Sequence, residues 1–195
     1  MSKYNVKLED LKNLNIRLDI GNLLKLINAE TICEIGVRDG VHLKHLMVPC
    51  VKQAFAVDIW KDTGLISEND ERVSQDIIDS QLKLVLDMAS NDSRIKIIKD
   101  FSVSAAQSFS DEYFDFVYID ADHTEDAVSK DILAWWTKVR KGGILAGHDY
   151  SPAIVTYPDN IVLKFGVIEA VNKFVKNNNL NLHVDTEQSW FIIKV

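Results

Sequence analysis

Two short clusters in this sequence carry side chains that could do chemistry: Asp120, Asp122 and His123 in IDADH, and His148 and Asp149 in GHDY. Carboxylates and imidazoles hold divalent metals and move protons near neutral pH. Each cluster follows an apolar run, Phe116 to Ile119 and Ile144 to Ala146. The first run is continuously apolar and rich in β-branched and aromatic residues, the pattern of a parallel strand buried on both faces. Between the runs Val128, Ile132, Trp135 and Val139 recur at helical spacing. Asp122 with Glu125 has the form of a capping box, Lys138, Arg140 and Lys141 place positive charge at the far end, and Gly142-Gly143 reads as the stop. Strand, helix and strand make a βαβ unit, and both polar clusters fall at carboxyl ends of its strands, where open α/β sheets bind ligands.

A second stretch of interest lies upstream. Thr31 to Ile35 reads as a buried strand running into Gly36-Val37-Arg38-Asp39-Gly40 and a helical pattern of Leu43, Leu46 and Met47. Strand, glycine turn and helix form a nucleotide-binding entry. The next strand, Ala54 to Val57, ends in Asp58, which stands 22 residues after Gly36, near the distance at which an acid reaches ribose hydroxyls. A single carboxylate can accept both hydrogen bonds of a cis-diol. The turn is Gly-x-x-x-Gly rather than Gly-x-Gly-x-x-Gly, Arg38 stands where backbone would have to approach a pyrophosphate, and Glu34 adds an anion. That argues against NAD and for a cationic ligand. S-adenosylmethionine fits, with an ammonium, a sulfonium, no phosphate, and the adenosine that Asp58 would hold.

The elements that must carry these residues alternate. A polar N-terminal segment precedes an amphipathic helix with Ile20, Leu23, Leu24 and Ile27. Residues 61–93 are a polar insertion with a helical second half, and its first half, Lys61 to Glu71, reads as a lid. Ile95 to Ile98 is a third strand, followed by Asp100-Phe101-Ser102 and a short helix over Val103 to Phe109. Residues 151–165 read as an irregular loop, Gly166 to Asn177 as a last helix, and Leu180 to Val184 with Ser189 to Val195 as a hairpin. The expected fold class is α/β: a Rossmann-like, doubly wound, mostly parallel seven-stranded sheet with a C-terminal antiparallel hairpin. We expect one domain over residues 1–195, with an N-terminal helical extension over 1–30 and an insertion over 61–93.

The 195 residues carry a net charge of −7, which opposes binding to a phosphate backbone, so nucleic acid is not an expected partner. Cys33 and Cys50 have neither disulfide-framework nor zinc spacing, which suits a reducing compartment. No stretch reaches the ~20 apolar residues of a membrane span, so no membrane partner and a cytoplasmic location are expected.

From about Thr31 to the C-terminal hairpin the chain resembles the class I S-adenosylmethionine-dependent methyltransferases. Glu34 to Gly40 resembles the first motif of that family and Val57-Asp58-Ile59 the second, with Ile59 expected against adenine. Phe101 and Ser102 stand where the family lines the adenine pocket. Within the family, IDADH and GHDY resemble the metal-dependent O-methyltransferases of the caffeoyl-CoA, catechol and macrocin types. The resemblance implies Asp120, His148 and Asp149 as ligands of a divalent metal, magnesium or manganese, and Asp122 as a cofactor contact along with Glu34, Gly36, Arg38, Gly40, Asp58 and Asp120. His123 replaces a lysine implicated in deprotonating the substrate, and His148 replaces an acid. A set mixing histidine and carboxylates suits manganese, iron or zinc as well as magnesium.

Methyl transfer from a sulfonium is an in-line displacement, so the protein has to align an acceptor oxygen and make it nucleophilic. We expect a small-molecule hydroxyl, of a sugar or secondary metabolite, as acceptor, Asp120 at the metal and His123 as the base. The alternatives are a metal-independent methyltransferase with a histidine base, and a non-catalytic binding module. His42 and His45 read as a solvated helix face, Trp135 and Trp136 as core and helix surface. Trp60 could line the site, Tyr150 and Tyr157 border the acceptor side, and the N-terminal segment could support a homodimer.

Overall fold

A computed structural model describes Leu11 and residues 19–62, 73–156 and 162–195. In chain order the elements are α1 (Ile20–Leu26), β1 (Thr31–Ile35), α2 (Val41–Leu46), β2 (Gln53–Asp58), α3 (Gln75–Asn91), β3 (Ile95–Lys99), α4 (Ser102–Ala106), β4 (Phe114–Ile119), α5 (Glu125–Trp136), β5 (Val139–Gly147), β6 (Ile154–Thr156), β7 (Val162–Lys164), α6 (Val167–Asn177), β8 (Leu182–Val184) and β9 (Trp190–Ile193). The main sheet has seven strands in the order β3-β2-β1-β4-β5-β9-β8. β1 to β5 run parallel, and β9 pairs antiparallel with β5 and with β8. This is the expected α/β class, including the closing hairpin.

Alternation along the buried strands divides the core into two layers. Ile32, Ala54, Ala56, Phe116 and Tyr118 face α1, α2 and α3. Cys33, Ile35, Val57, Val117 and Ile119 face α4, α5 and α6. From β1 the chain winds outward through β2 and β3 and then returns to place β4 on the other side of β1. The connections that leave the carboxyl ends of β1 and β4 therefore run to opposite faces of the sheet at a topological switch point, the place where sheets of this kind leave a crevice.

Several local expectations are corrected. Thr124, not Asp122, caps α5: its side chain accepts from Ala127 N–H, while Asp122 Oδ1 accepts from Thr124 N–H at 2.8 Å and shapes the turn before the helix. Asp122 and Glu125 therefore make no capping box. Gly142-Gly143 does not stop the helix, which ends at Trp136. Both glycines lie inside β5, where the register against β4 slips between Phe114 and Phe116 and Gly142 takes φ 77° to accommodate the bulge. The basic residues placed at the helix end serve the bulge and its surroundings: Arg140 meets Asp115 at 2.6 Å and Lys138 meets Asp111 at 2.7 Å. Residues 151–165 are not wholly irregular, because β6 and β7 form a two-stranded antiparallel ladder. The helical half of the 61–93 insertion is α3. Most of the segment read as a lid, Tyr157, and nearly all of residues 1–18 fall outside the described residues. No helix among the described residues is long and apolar enough to cross a membrane.

Candidate active site

The glycine turn leaves β1 at the switch point. Gly36 N–H donates to Val57 O at 2.9 Å, and Asp120 N–H donates to Ile35 O at 2.8 Å, so the ends of β2, β1 and β4 close on one another. Gly36 has φ 83°, and a Cβ there would lie 1.9 Å from Asp120 O. Only glycine fits that contact. Arg38 is also left-handed, with φ 55°, a conformation that costs a side-chain-bearing residue roughly 1–2 kcal/mol and persists where neighbours fix it.

Asp58 supplies the fixing. Its Oδ2 accepts from Arg38 N–H at 2.8 Å and its Oδ1 from Trp60 N–H at 2.9 Å. Trp60, 2% exposed, donates its indole N–H to Arg38 O at 2.8 Å. Trp60 thus supports the turn from within. A carboxylate has about four acceptor positions, so after two backbone bonds Asp58 retains capacity for two hydroxyls. Ile59, half-buried, follows it.

Glu34 lies beneath the turn, 1% exposed, with Oε1 2.8 Å from His42 Nδ1. An ionised carboxylate only accepts, so Nδ1 carries the proton. The His42 ring lies 4.4 Å from that of Tyr118. His42 is 7% exposed, which corrects its assignment to a solvated face; His45 is exposed. The sequence did hold a signal, because His42 stands four residues before Leu46, on the face that α2 buries.

The acidic and imidazole groups converge beside Gly36. Asp120 follows β4; His148 and Asp149 follow β5, with His148 N–H donating to Ile119 O at 3.0 Å. His123 Nε2 lies 3.0 Å from Asp149 Oδ2 and 3.8 Å from Asp120 Oδ1. One donor atom each from Asp120, His123 and Asp149 lie within 4.8 Å of one another, a grouping able to hold a metal ion. His148 Nδ1 approaches the other side of Asp149, 3.1 Å from Oδ1. His123 therefore stands among the converging donors, and His148 stands behind Asp149. Gly166 N–H donates to His123 O at 2.8 Å, and Phe165 packs on the imidazole at 4.6 Å, so the start of α6 holds this histidine. Asp149 takes φ 57°, which turns its carboxylate back toward β4. Burial pushes the Asp149 carboxyl up, but hydrogen bonds from His123 and His148 and their charge bring it well below the usual range. A small cleft lined by Asp120, Asp122, His123, His148, Val128 and Trp190, among others, opens here.

Next to Asp58, whose carbonyl accepts from Asp100 N–H at 3.1 Å, Phe101 is exposed and Ser102 opens α4. The Ser102 hydroxyl points inward, accepting from Trp135 Nε1 at 2.9 Å and hydrogen-bonding Asp131. Asp131 is a buried acid that the sequence reading did not single out. Burial, with the nearby charge of Asp122, raises its carboxyl to about 6 despite the Ser102 bond. It occupies the stripe of Val128, Ile132 and Trp135, and an acid on an apolar face was the available signal. Tyr150 OH donates to Asn172 Oδ1 at 2.8 Å, bracing the loop after β5 on α6.

A sequence model of the family described as "Methyltransferase domain" matches residues 33–150. No curated protein matches the sequence. Spermidine synthase from Thermotoga maritima has a similar fold, with a TM-score of 0.53 and 16% identity over 86% of this chain, which spans about half (54%) of that one. A Staphylococcus aureus protein provisionally assigned as a caffeoyl-CoA O-methyltransferase gives a TM-score of 0.60 at 14% identity, covering 96% of this chain and 84% of that one. An O-methyltransferase from Bacillus cereus, solved in complex with SAH, gives 0.58 at 16% identity, covering 98% and 83%.

Proposed function

On the premise that the chain belongs to the methyltransferase-domain family, whose model spans more than half of it, we propose that it is an S-adenosylmethionine-dependent O-methyltransferase acting on the hydroxyl of a small molecule, a sugar or secondary metabolite, with the help of a divalent metal. The observation that carries this reading is the convergence of Asp120, His123 and Asp149 next to the Gly36 turn, at the switch point of the sheet. The SAH-bound neighbour supports the cofactor.

S-adenosylmethionine supplies an electrophilic methyl group: as the acceptor oxygen bonds to carbon, the carbon–sulfur bond breaks, its electron pair leaves with a neutral thioether, and the hydroxyl proton is released. In this chain Asp58 would hold the ribose through its remaining acceptor positions. Gly36, Arg38 and Gly40 shape the wall along which the cofactor lies, with Glu34 beneath them. Ile59, Phe101 and the backbone of Ser102 border the adenine, and Asp122 lies at the same rim.

The donor set fits a divalent ion, because two carboxylates and one imidazole are already gathered and half-sequestered from water. Asp120, His123 and Asp149 would hold it, so that His123, expected as the base, would serve as a ligand, while His148, expected as a ligand, would steady the Asp149 carboxylate from behind and the hydroxyl proton would pass to solvent. A divalent ion here would orient the acceptor hydroxyl and lower its pKa. The 3.0 Å contact between His123 and Asp149 also supports a metal-independent reading, with Asp149 orienting the imidazole and its other nitrogen taking the proton.

Methyl transfer from labelled S-adenosylmethionine to a panel of sugar and phenolic hydroxyls, with and without a chelator, tests both. The metal-assisted reading expects transfer that chelation abolishes and manganese or magnesium restores. Transfer that survives exhaustive chelation selects the metal-independent reading. Cofactor binding without transfer to any acceptor selects a non-catalytic module.

A further inference from the structure

Buried under the glycine turn is a polar pair of which one member, His42, has no role in the reading above. Glu34 and His42 stand eight residues apart, one on β1 and one on α2, and meet at 2.8 Å with almost no exposure. Between them lies the turn itself, which contains three left-handed residues, Gly36, Arg38 and Gly40. Asp58 and Trp60 pin the crest of that turn. The Glu34–His42 bond pins its base, fastening the first turn of α2 to the strand that the turn leaves. Tyr118, on which the His42 ring packs, is the register partner of Glu34 on β4 and stands two residues before Asp120. Tyr118 OH in turn pairs with Ser189 Oγ at 3.1 Å, which ties β4 to the segment entering β9. One buried pair therefore joins β1, α2 and β4 below the two residues, Gly36 and Asp120, where the turn and the acidic cluster touch.

We propose that His42 is a positioning residue for the cofactor: its Nδ1–H, fixed against Tyr118, holds the Glu34 carboxylate and so keeps the Gly36–Gly40 turn in its binding geometry. The inference rests on the S-adenosylmethionine reading above. A turn of this kind binds tightly only if it is ordered beforehand, since ordering it on binding would reduce affinity. His42 touches no cofactor in this account and acts through Glu34 and the turn.

The test is calorimetric titration of S-adenosylmethionine and S-adenosylhomocysteine into the wild type, His42→Ala, His42→Asn, Glu34→Met and the His42→Ala/Glu34→Met double variant. His42→Ala is expected to weaken both ligands by about tenfold or more, because the turn must then be ordered on binding. In His42→Asn the amide N–H branches from the same position as Nδ1, so affinity should return to within about threefold of wild type. The double variant should bind no more weakly than the worse single variant, as expected of two residues acting as one unit. Equal affinity in wild type and His42→Ala, or no recovery in His42→Asn, overturns the inference and leaves the cofactor reading standing. Should His42→Ala fail to fold, Glu34→Met, which nearly keeps the volume but cannot accept from Nδ1–H, decides: affinity within twofold of wild type overturns the inference. A wild type that binds neither ligand removes the cofactor reading, and the inference with it.

Discussion

Asp149 bridges two imidazoles, with Oδ2 3.0 Å from His123 Nε2 and Oδ1 3.1 Å from His148 Nδ1. The three groups come from the ends of two neighbouring strands, and the left-handed backbone at Asp149 aims its carboxylate between them. An anion held by two donors is preorganised, and its depressed pKa keeps it charged throughout the neutral range.

Replacing Asp149 with Asn removes that anion while keeping its shape. Manganese affinity, read by calorimetry, should fall by at least about 100-fold, and His148→Ala should cost about 10-fold or more by loosening the carboxylate. S-adenosylmethionine affinity should change little in either variant. A Mn²⁺ affinity unchanged in Asp149→Asn would remove the metal from the proposal.

Asp58→Ala should do the reverse. It takes away the ribose acceptor and also the two bonds that hold Arg38 and Trp60, so S-adenosylmethionine should bind at least about tenfold more weakly, with manganese affinity intact. Loss of both together would mean that Asp58 acts on the whole crevice.

Asp131 makes stability depend on pH in a definite direction. Burial raises its folded pKa to about 6 from the ordinary 3.8, so the folded state binds the proton more tightly. The contribution is fully present below pH ~4 and is lost as pH rises through about 6, on the order of 3 kcal/mol in all. Asp131→Asn, which can still accept from Ser102, should raise the melting temperature at pH 7.5 and leave it nearly unchanged at pH 4. An equal shift at both pH values would contradict the assignment.

Gly36→Ala places a methyl group 1.9 Å from Asp120 O in a left-handed backbone. Either the turn or the end of β4 must move. Urea unfolding should show a loss of roughly 3 kcal/mol, and cofactor binding should disappear with it. Wild-type stability in this variant would mean that β1 and β4 do not close at Gly36.

At the opposite end of the sheet Asp115, 1% exposed, accepts from Glu30 N–H and Thr31 N–H at 2.8 Å each and meets Arg140 at 2.6 Å. Asp115→Ala removes the acceptor of two backbone donors and the carboxylate that faces the half-buried Arg140, at a cost of about 3–5 kcal/mol. Because this end is remote from the crevice, the affinity for S-adenosylmethionine of the fraction that remains folded should be unchanged. Urea unfolding and titration on the same sample separate the two.

The order of the strands and helices of the main sheet, the parallel β1 to β5 and closing hairpin, the glycine turn, and the presence of Asp120, His123, His148 and Asp149 at strand ends were all legible in the sequence, whereas the β6–β7 ladder was not. Each depends on local pattern: continuous apolar runs for buried strands, helical spacing between them, and glycine where the chain reverses. What those patterns could not decide involves residues that meet only when distant segments pack. The glycine pair at 142–143 fits a helix stop as well as a bulge, and only pairing of Val139 with Phe114 selects the bulge. His42 is polar enough for a surface and is buried because Glu34 and Tyr118 lie on the strands beside it. Whether His123 or His148 reaches Asp120 depends on where α6 holds the His123 backbone and on the left-handed turn at Asp149. The sequence by itself determined which groups stand at the carboxyl edge, since strand ends follow from hydrophobic pattern. Only the tertiary structure decided which of them face one another, because a side chain's neighbours are set by the packing of strands and helices far apart in the chain.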